Sequence, residues 1–143
     1  MTETKALTSD ITIRDLKRIR DLSLQIRRDK DQLEELRYLA AGLGSKPTDA
    51  VKVQTSPAQS GNRFAEAAAD LAELLREEET ELDALQVKAL RYIGNVDNSL
   101  GVRVLRYRYI DCQTWKSISV LTGYTVRHLI RFHDDLVAEL PEE

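Results

Sequence analysis

The sequence predicts an all-α protein, a long antiparallel helical hairpin, coiled-coil-like, followed by a three-helix helix-turn-helix domain. Three observations carry this expectation. Glycine and proline are scarce, six and three in 143 residues, and Ala, Leu, Glu, Asp and Arg dominate, which is a helical composition. Apolar residues recur at steps of three and four along two long stretches. In the last third a small residue, a glycine and an apolar anchor fall at the spacing of a helix-turn-helix.

The first helix is expected over about residues 10–43, with Ile19, Leu22, Ile26, Leu33, Leu36, Ala40 and Leu43 on one stripe and Asp29 as its one polar member. Ser9 or Asp10 can cap its start, and Gly42 or Gly44 its end. A second helix over about residues 62–93 repeats the pattern at Phe64, Ala68, Leu71, Leu75, Leu82, Leu85, Ala89 and Tyr92, with Glu78 as the polar break. The intervening residues 44–61 are rich in turn formers and read as an exposed loop, with Val51-Lys52-Val53 as a short extended piece.

Folding the two helices back on each other brings Arg27 and Arg28 level with residues 77–83, so basic and acidic stretches face one another and antiparallel pairing is favoured. The same register brings Asp29 and Glu78 to one level. Two carboxylates there are expected to reach solvent at the edge of the seam, the alternative being a polar layer that sets the register. A two-helix hairpin covers only one face of each helix, so either the C-terminal helices or a second copy of the chain must cover the rest, the latter giving a homodimer.

Asn98 or Ser99 can cap a short third helix ending near Ile110, with Val102, Leu105 and Tyr109 inward. Within residues 114–132, Ser119, Gly123 and Leu129 supply the small residue, turn glycine and apolar anchor of a helix-turn-helix. Trp115, Ile118, Leu129, Phe132 and Leu136 are the apolar positions that close it. Domain boundaries follow at 1–96 and 97–143.

Net charge is -3, yet residues 101–133 carry Arg103, Arg106, Arg108, Lys116, Arg127 and Arg131 against Asp111 alone. A basic block of this kind attracts phosphate locally whatever the whole-chain charge. Thr125 is placed to cap the second helix of the motif, aiming free N–H groups at a phosphate. Val126, Arg127, Ile130 and Arg131 then occupy the face that meets base edges in this motif. Arg127 and Arg131 are the candidates for base contact, and Val126 and Ile130 for thymine methyls. His128, Lys116, Ser117, Arg103, Arg106 and Arg108 are candidate backbone contacts.

The exclusions are as informative. No nucleophile–base pair, phosphate loop or metal-ligand set is present, so neither an enzyme nor a cofactor or metal is expected. His128 and His133 are five apart, a poor chelating interval on a helix, and the single Cys112 has no partner thiol. No apolar window is long enough to span a membrane, and the residues at the N-terminus are polar, so a cytoplasmic location is expected.

Val104-Leu105-Arg106-Tyr107-Arg108-Tyr109, followed by residues 115–140, resembles sigma-70 region 4, the domain that recognises the −35 promoter element. The run Arg106-Tyr107-Arg108-Tyr109-Ile110, then Trp115, then Gly123-Tyr124-Thr125, looks most like the small phage late-transcription regulators of the RinA and ArpU type. Val53-Gln54-Thr55-Ser56 is similar to a loop in the same regulators. The resemblance implies an activator of phage or prophage late genes acting on double-stranded DNA, with host RNA polymerase as a partner. The chain departs from the sigma pattern at Val126 and Ile130, where polar or basic residues are usual. Two other readings stand beside this one: a DNA-packaging subunit resembling a small terminase, and a helical protein-interaction adaptor.

Overall fold

A computed structural model of the protein describes residues 10–42 and 57–143, with side chains of the second stretch from residue 62. The chain is all-helical there. Helix α1 spans Ile13–Ala40 and α2 Pro57–Ile93; α3 (Ser99–Leu105) runs on into a π-helical turn (Arg106–Ile110), and α4 (Trp115–Thr122) and α5 (Val126–Val137) form the helix-turn-helix. Leu43, Gly44 and the expected strand-like piece at Val51 to Val53 lie outside the described residues, as does Ser9.

Two boundaries differ from expectation. Helix α1 is capped by Thr12, whose Oγ1 accepts from the Asp15 N–H at 3.0 Å while the Asp15 carboxylate accepts from the Thr12 N–H at 3.2 Å. This reciprocal pair satisfies two donors at once and places the cap two residues past Asp10. The tail contributes too: the Ile13 and Arg14 N–H groups donate to the carbonyls of Pro141 and Glu142. Helix α2 starts at Pro57, inside the expected loop, because proline is well suited to a first helical turn, where its missing N–H costs nothing. At the far end of α1, Gly42 takes φ +79° and its N–H closes on the Leu39 carbonyl, as a C-terminal glycine does.

The chain divides into two compact units, one of residues 24–80 and one of residues 10–23 with 81–143. The division crosses both long helices. In the first unit the helices pair antiparallel through Ile26, Leu33, Ala68 and Leu75, all buried, and Lys30 bridges Glu79 at 3.2 Å. Arg27 and Arg28, expected to face the acidic stretch, are exposed, and Arg28 donates to Gln25 of its own helix at 3.3 Å. Asp29 corrects the expectation that both seam carboxylates reach solvent. It is 6 % exposed, accepts from Gln25 Nε2 at 3.0 Å, and its Oδ2 has no hydrogen-bond partner among the described residues. Glu78 is half-buried.

In the second unit the C-terminal helices pack on that unit's own part of the two long helices, residues 10–23 and 81–93. Ile11, Leu16 and Ile19 of the N-terminal segment and Ala89, Tyr92 and Ile93 of α2 pack with Leu105, Tyr109, Val137 and Leu140. The antiparallel register is again marked by charge, with Arg18 gripping Glu81 through two bonds of 2.8 and 3.0 Å and Lys88 reaching Asp15 at 3.4 Å. Arg18 holds the Glu81 carboxyl below its ordinary pKa, but the pair is half-exposed and contributes little to stability.

Helix α3 is buried on two faces, which the expected single inner face does not anticipate. Leu105 and Tyr109 enter the core just described, while Val104 joins a separate cluster with Ile118 of α4 and Leu129 of α5, all three 0 % exposed. Leu100, Tyr107, Trp115 and Phe132 close over that second cluster. Leu136, expected to close the helix-turn-helix, packs with the first cluster instead.

Candidate nucleic-acid interface

The helix-turn-helix is shaped by five local devices. Asn98 caps α3 by accepting from the Gly101 N–H at 2.9 Å. Thr114 caps α4 by accepting from Ser117, and Thr125 caps α5 by accepting from His128, each at 3.1 Å. Between α4 and α5 Gly123 adopts φ +84°, in the left-handed region that other L-residues enter at a cost. Ser119 then ties the turn, its hydroxyl donating to the Tyr124 carbonyl. That bond gives the small residue of the motif a second role besides allowing close packing.

Nothing lies within 4 Å of a Cβ placed on Gly123, so a substitution there meets strain without a clash. Gly123→Ala is expected to lower stability by about 1–2 kcal/mol, and Gly123→Asn by less, in urea unfolding. An alanine variant as stable as the parent would show that the turn relaxes freely.

The predicted contact residues separate into two groups. Val126, Arg127, His128 and Arg131 stand exposed over the first turns of α5, with Leu129 buried beneath them and Thr125 exposed at the cap. Lys116 and Arg106 are exposed and Ser117 is half-buried. Tyr124, at the turn, stacks on His128 with ring centroids 5.1 Å apart and orients that ring at the helix start.

Ile130 and Arg108 belong to a different environment. Both are half-buried and line a cleft of about 350 Å³ together with Trp115 and His133. The Arg108 guanidinium lies 4.3 Å over the Trp115 ring, and its Nη1 donates to the Gln113 carbonyl at 3.2 Å. Burial lowers its pKa, and the charge of Arg20 lowers it further.

The π-helical turn explains this geometry. The Asp111 N–H bonds the carbonyl of Arg106, five residues back, and the Gln113 N–H bonds that of Tyr107. Such a widened turn leaves carbonyls without helical partners. Gln86 of α2 supplies one, its Nε2 donating to the carbonyls of Tyr109 at 2.8 Å and Ile110 at 3.2 Å. Cys112, at φ +54°, then reverses the chain toward α4, and Arg20 donates to its carbonyl at 3.0 Å. Neither Gln86 nor Arg20 announces this role in sequence, because a polar residue on an amphipathic helix ordinarily faces water.

His133 is part of the packing. Burial lowers its pKa, opposed in part by the hydrogen bond it donates to Asp134. Its neutral ring fits the neighbours: Nδ1–H donates to Asp134 Oδ1 at 3.0 Å, and Nε2 accepts from the Tyr109 hydroxyl at 2.7 Å. Because the folded state disfavours the charged ring, its contribution is present above the ordinary pKa of 6.5 and lost as pH falls through the lowered folded value. The thermal midpoint is expected to drop on acidification below that pH, and His133→Gln to flatten that part of the profile. An unchanged slope in the variant would assign the acid sensitivity to other groups.

Among the described residues no cluster of His, Cys, Asp or Glu could hold a metal, and no helix is long and apolar enough to cross a membrane. The fold and surface together define an all-helical protein carrying a helix-turn-helix whose second helix exposes Arg127 and Arg131 in its N-terminal half. Compared with protein-family models, curated proteins and solved structures, the chain has no match.

Proposed function

We propose that the protein is a sequence-specific transcription regulator that binds double-stranded DNA, acts in the cytoplasm and activates phage or prophage late genes, with host RNA polymerase as a partner and the hairpin as a dimerisation surface. The observation that carries the DNA-binding part is the construction of α5. Its capped start presents Arg127, His128 and Arg131 outward while Leu129, between them, is fully buried. A helix held this way offers free N–H groups and two guanidinium forks to one groove. The phage setting and the polymerase partner come from the resemblance to late-transcription regulators.

The test is fluorescence anisotropy of the full chain with pooled fragments of its genomic neighbourhood at two salt concentrations. Tight binding to one fragment that weakens with salt yet survives competitor DNA supports a specific regulator. Arg127→Ala and Arg131→Ala are expected to cost on the order of 1–3 kcal/mol each and to relax specificity at particular positions. Unchanged affinity in both variants would remove them from the interface.

A second reading, an interaction adaptor, is favoured by the apolar residues around the turn. Val120 is 80 % and Leu121 49 % exposed, more than a helix-turn-helix needs for its own core. Salt-sensitive, sequence-selective DNA affinity excludes it as the sole function.

A further inference from the structure

We propose that the cleft between α1 and α5 is a seat for a phosphate group, formed by Lys17, Arg20 and Arg108 and walled by Trp115, Ile130 and His133. Its first support is a set of cationic groups that outnumbers the acids beside it. Among the described residues none of the three cations forms an ion pair. Arg20 and Arg108 donate instead to successive backbone carbonyls, those of Cys112 and Gln113, which brings two guanidinium groups to the same short loop. Arg108 Nε is buried with no hydrogen-bond partner among the described residues. Two carboxylates, Asp21 and Asp134, also line the cleft, so the cations exceed the acids by one, and Asp134 is turned to the His133 Nδ1–H. Like charges gathered this closely are stabilised by an oxyanion, and guanidinium groups match phosphate geometry.

The second support is position. On a helix, residues 127, 130, 131 and 134 share one face, being three, four and seven apart. Ile130 and Asp134 line the cleft, so its wall is continuous with the exposed Arg127 and Arg131. Lys17 is exposed on the opposite wall, where it can meet a group approaching from that face. A backbone phosphate of a duplex seated on α5 satisfies this arrangement; that source rests on the DNA-binding reading, whereas the seat itself does not. The seat adds Lys17 and Arg20, from the N-terminal helix, to the surface that handles nucleic acid.

Trp115 is the sole tryptophan and lies in the cleft wall under Arg108, so its emission reports occupancy. The probes are a mixed-sequence labelled duplex, read by both anisotropy and Trp115 emission, and inorganic phosphate at constant ionic strength, read by emission. The full chain is compared with Lys17→Gln and Lys17→Arg, exposed changes that leave the core untouched. The expected result is a Trp115 response to duplex, a salt slope reduced by about one in Lys17→Gln, and recovery of the slope in Lys17→Arg. A response to inorganic phosphate that Lys17→Gln abolishes, without duplex binding, keeps the seat, makes its source a free phosphate and overturns the DNA reading. Duplex binding with an unchanged slope and a silent Trp115 overturns the seat and leaves the DNA reading standing. Silence to both probes overturns both.

Discussion

Replacing Leu129 with alanine is expected to destabilise the protein by about 2–5 kcal/mol. The side chain is 0 % exposed and meets Val104 and Ile118, also fully buried, where α3, α4 and α5 converge. Leucine to alanine removes the apolar transfer energy and leaves a cavity whose walls, Trp115, Tyr107 and Phe132 among them, are bulky rings that collapse poorly into it. Leu129 is also the residue whose N–H makes the first turn of α5 with the Thr125 carbonyl at 3.0 Å. Alanine keeps that N–H, so what is lost is the apolar anchor beneath the helix that carries Arg127 and Arg131, with no exposed group touched. Urea unfolding followed by Trp115 emission measures the effect, with Val120→Ala, on an 80 % exposed side chain, as a control expected within about 0.5 kcal/mol of the parent. A cost below about 1 kcal/mol for Leu129→Ala would mean that the three helices are not held by this cluster.

Replacing Asp29 with leucine is expected to act in the opposite direction, stabilising the hairpin by roughly 1–4 kcal/mol. Asp29 sits in the apolar seam with one carboxylate oxygen bonded by Gln25 and the other unpartnered among the described residues. An isolated carboxylate desolvated in this way is costly, whereas a leucine continues the stripe of Ile26 and Leu33. Gln25 is half-buried and regains water when its partner goes. A polar seam residue that lowers stability commonly selects register or partner number, so sedimentation of Asp29→Leu should show a broader range of oligomers than the parent. A leucine variant less stable than the parent would show that the buried carboxylate has a favourable partner.

The helical stripes were legible because packing repeats the helical period: Ile19, Leu22, Ile26, Leu33, Ala68, Leu75, Ala89 and Tyr92 were all expected inward and are all buried. The helix-turn-helix was legible because its constraints are local. A cap acts over three residues and a left-handed turn at one, so Thr125 and Gly123 could be placed, and the α3 cap narrowed to Asn98 or Ser99, from their neighbours alone. Seam position, by contrast, does not reveal solvent access, and Asp29 was expected at the edge where it is in fact buried. Ile130 and Arg108 show the same limit, since spacing puts them on or near the cationic surface and only packing shows that they line a cleft.

Local spacing thus determined the helical class, the two long stripes, the cap of α5 and the turn that orients α5. Tertiary structure decided what lies between elements distant in the chain. It set the two-sided burial of α3, the support of the π-helical turn by Gln86, and the meeting of Arg20 with Arg108 across 88 positions. The reason is one of range. Helix periodicity and capping are dictated by residues three or four apart, while a cleft lined by cations exists only after segments far apart in sequence have been packed against each other.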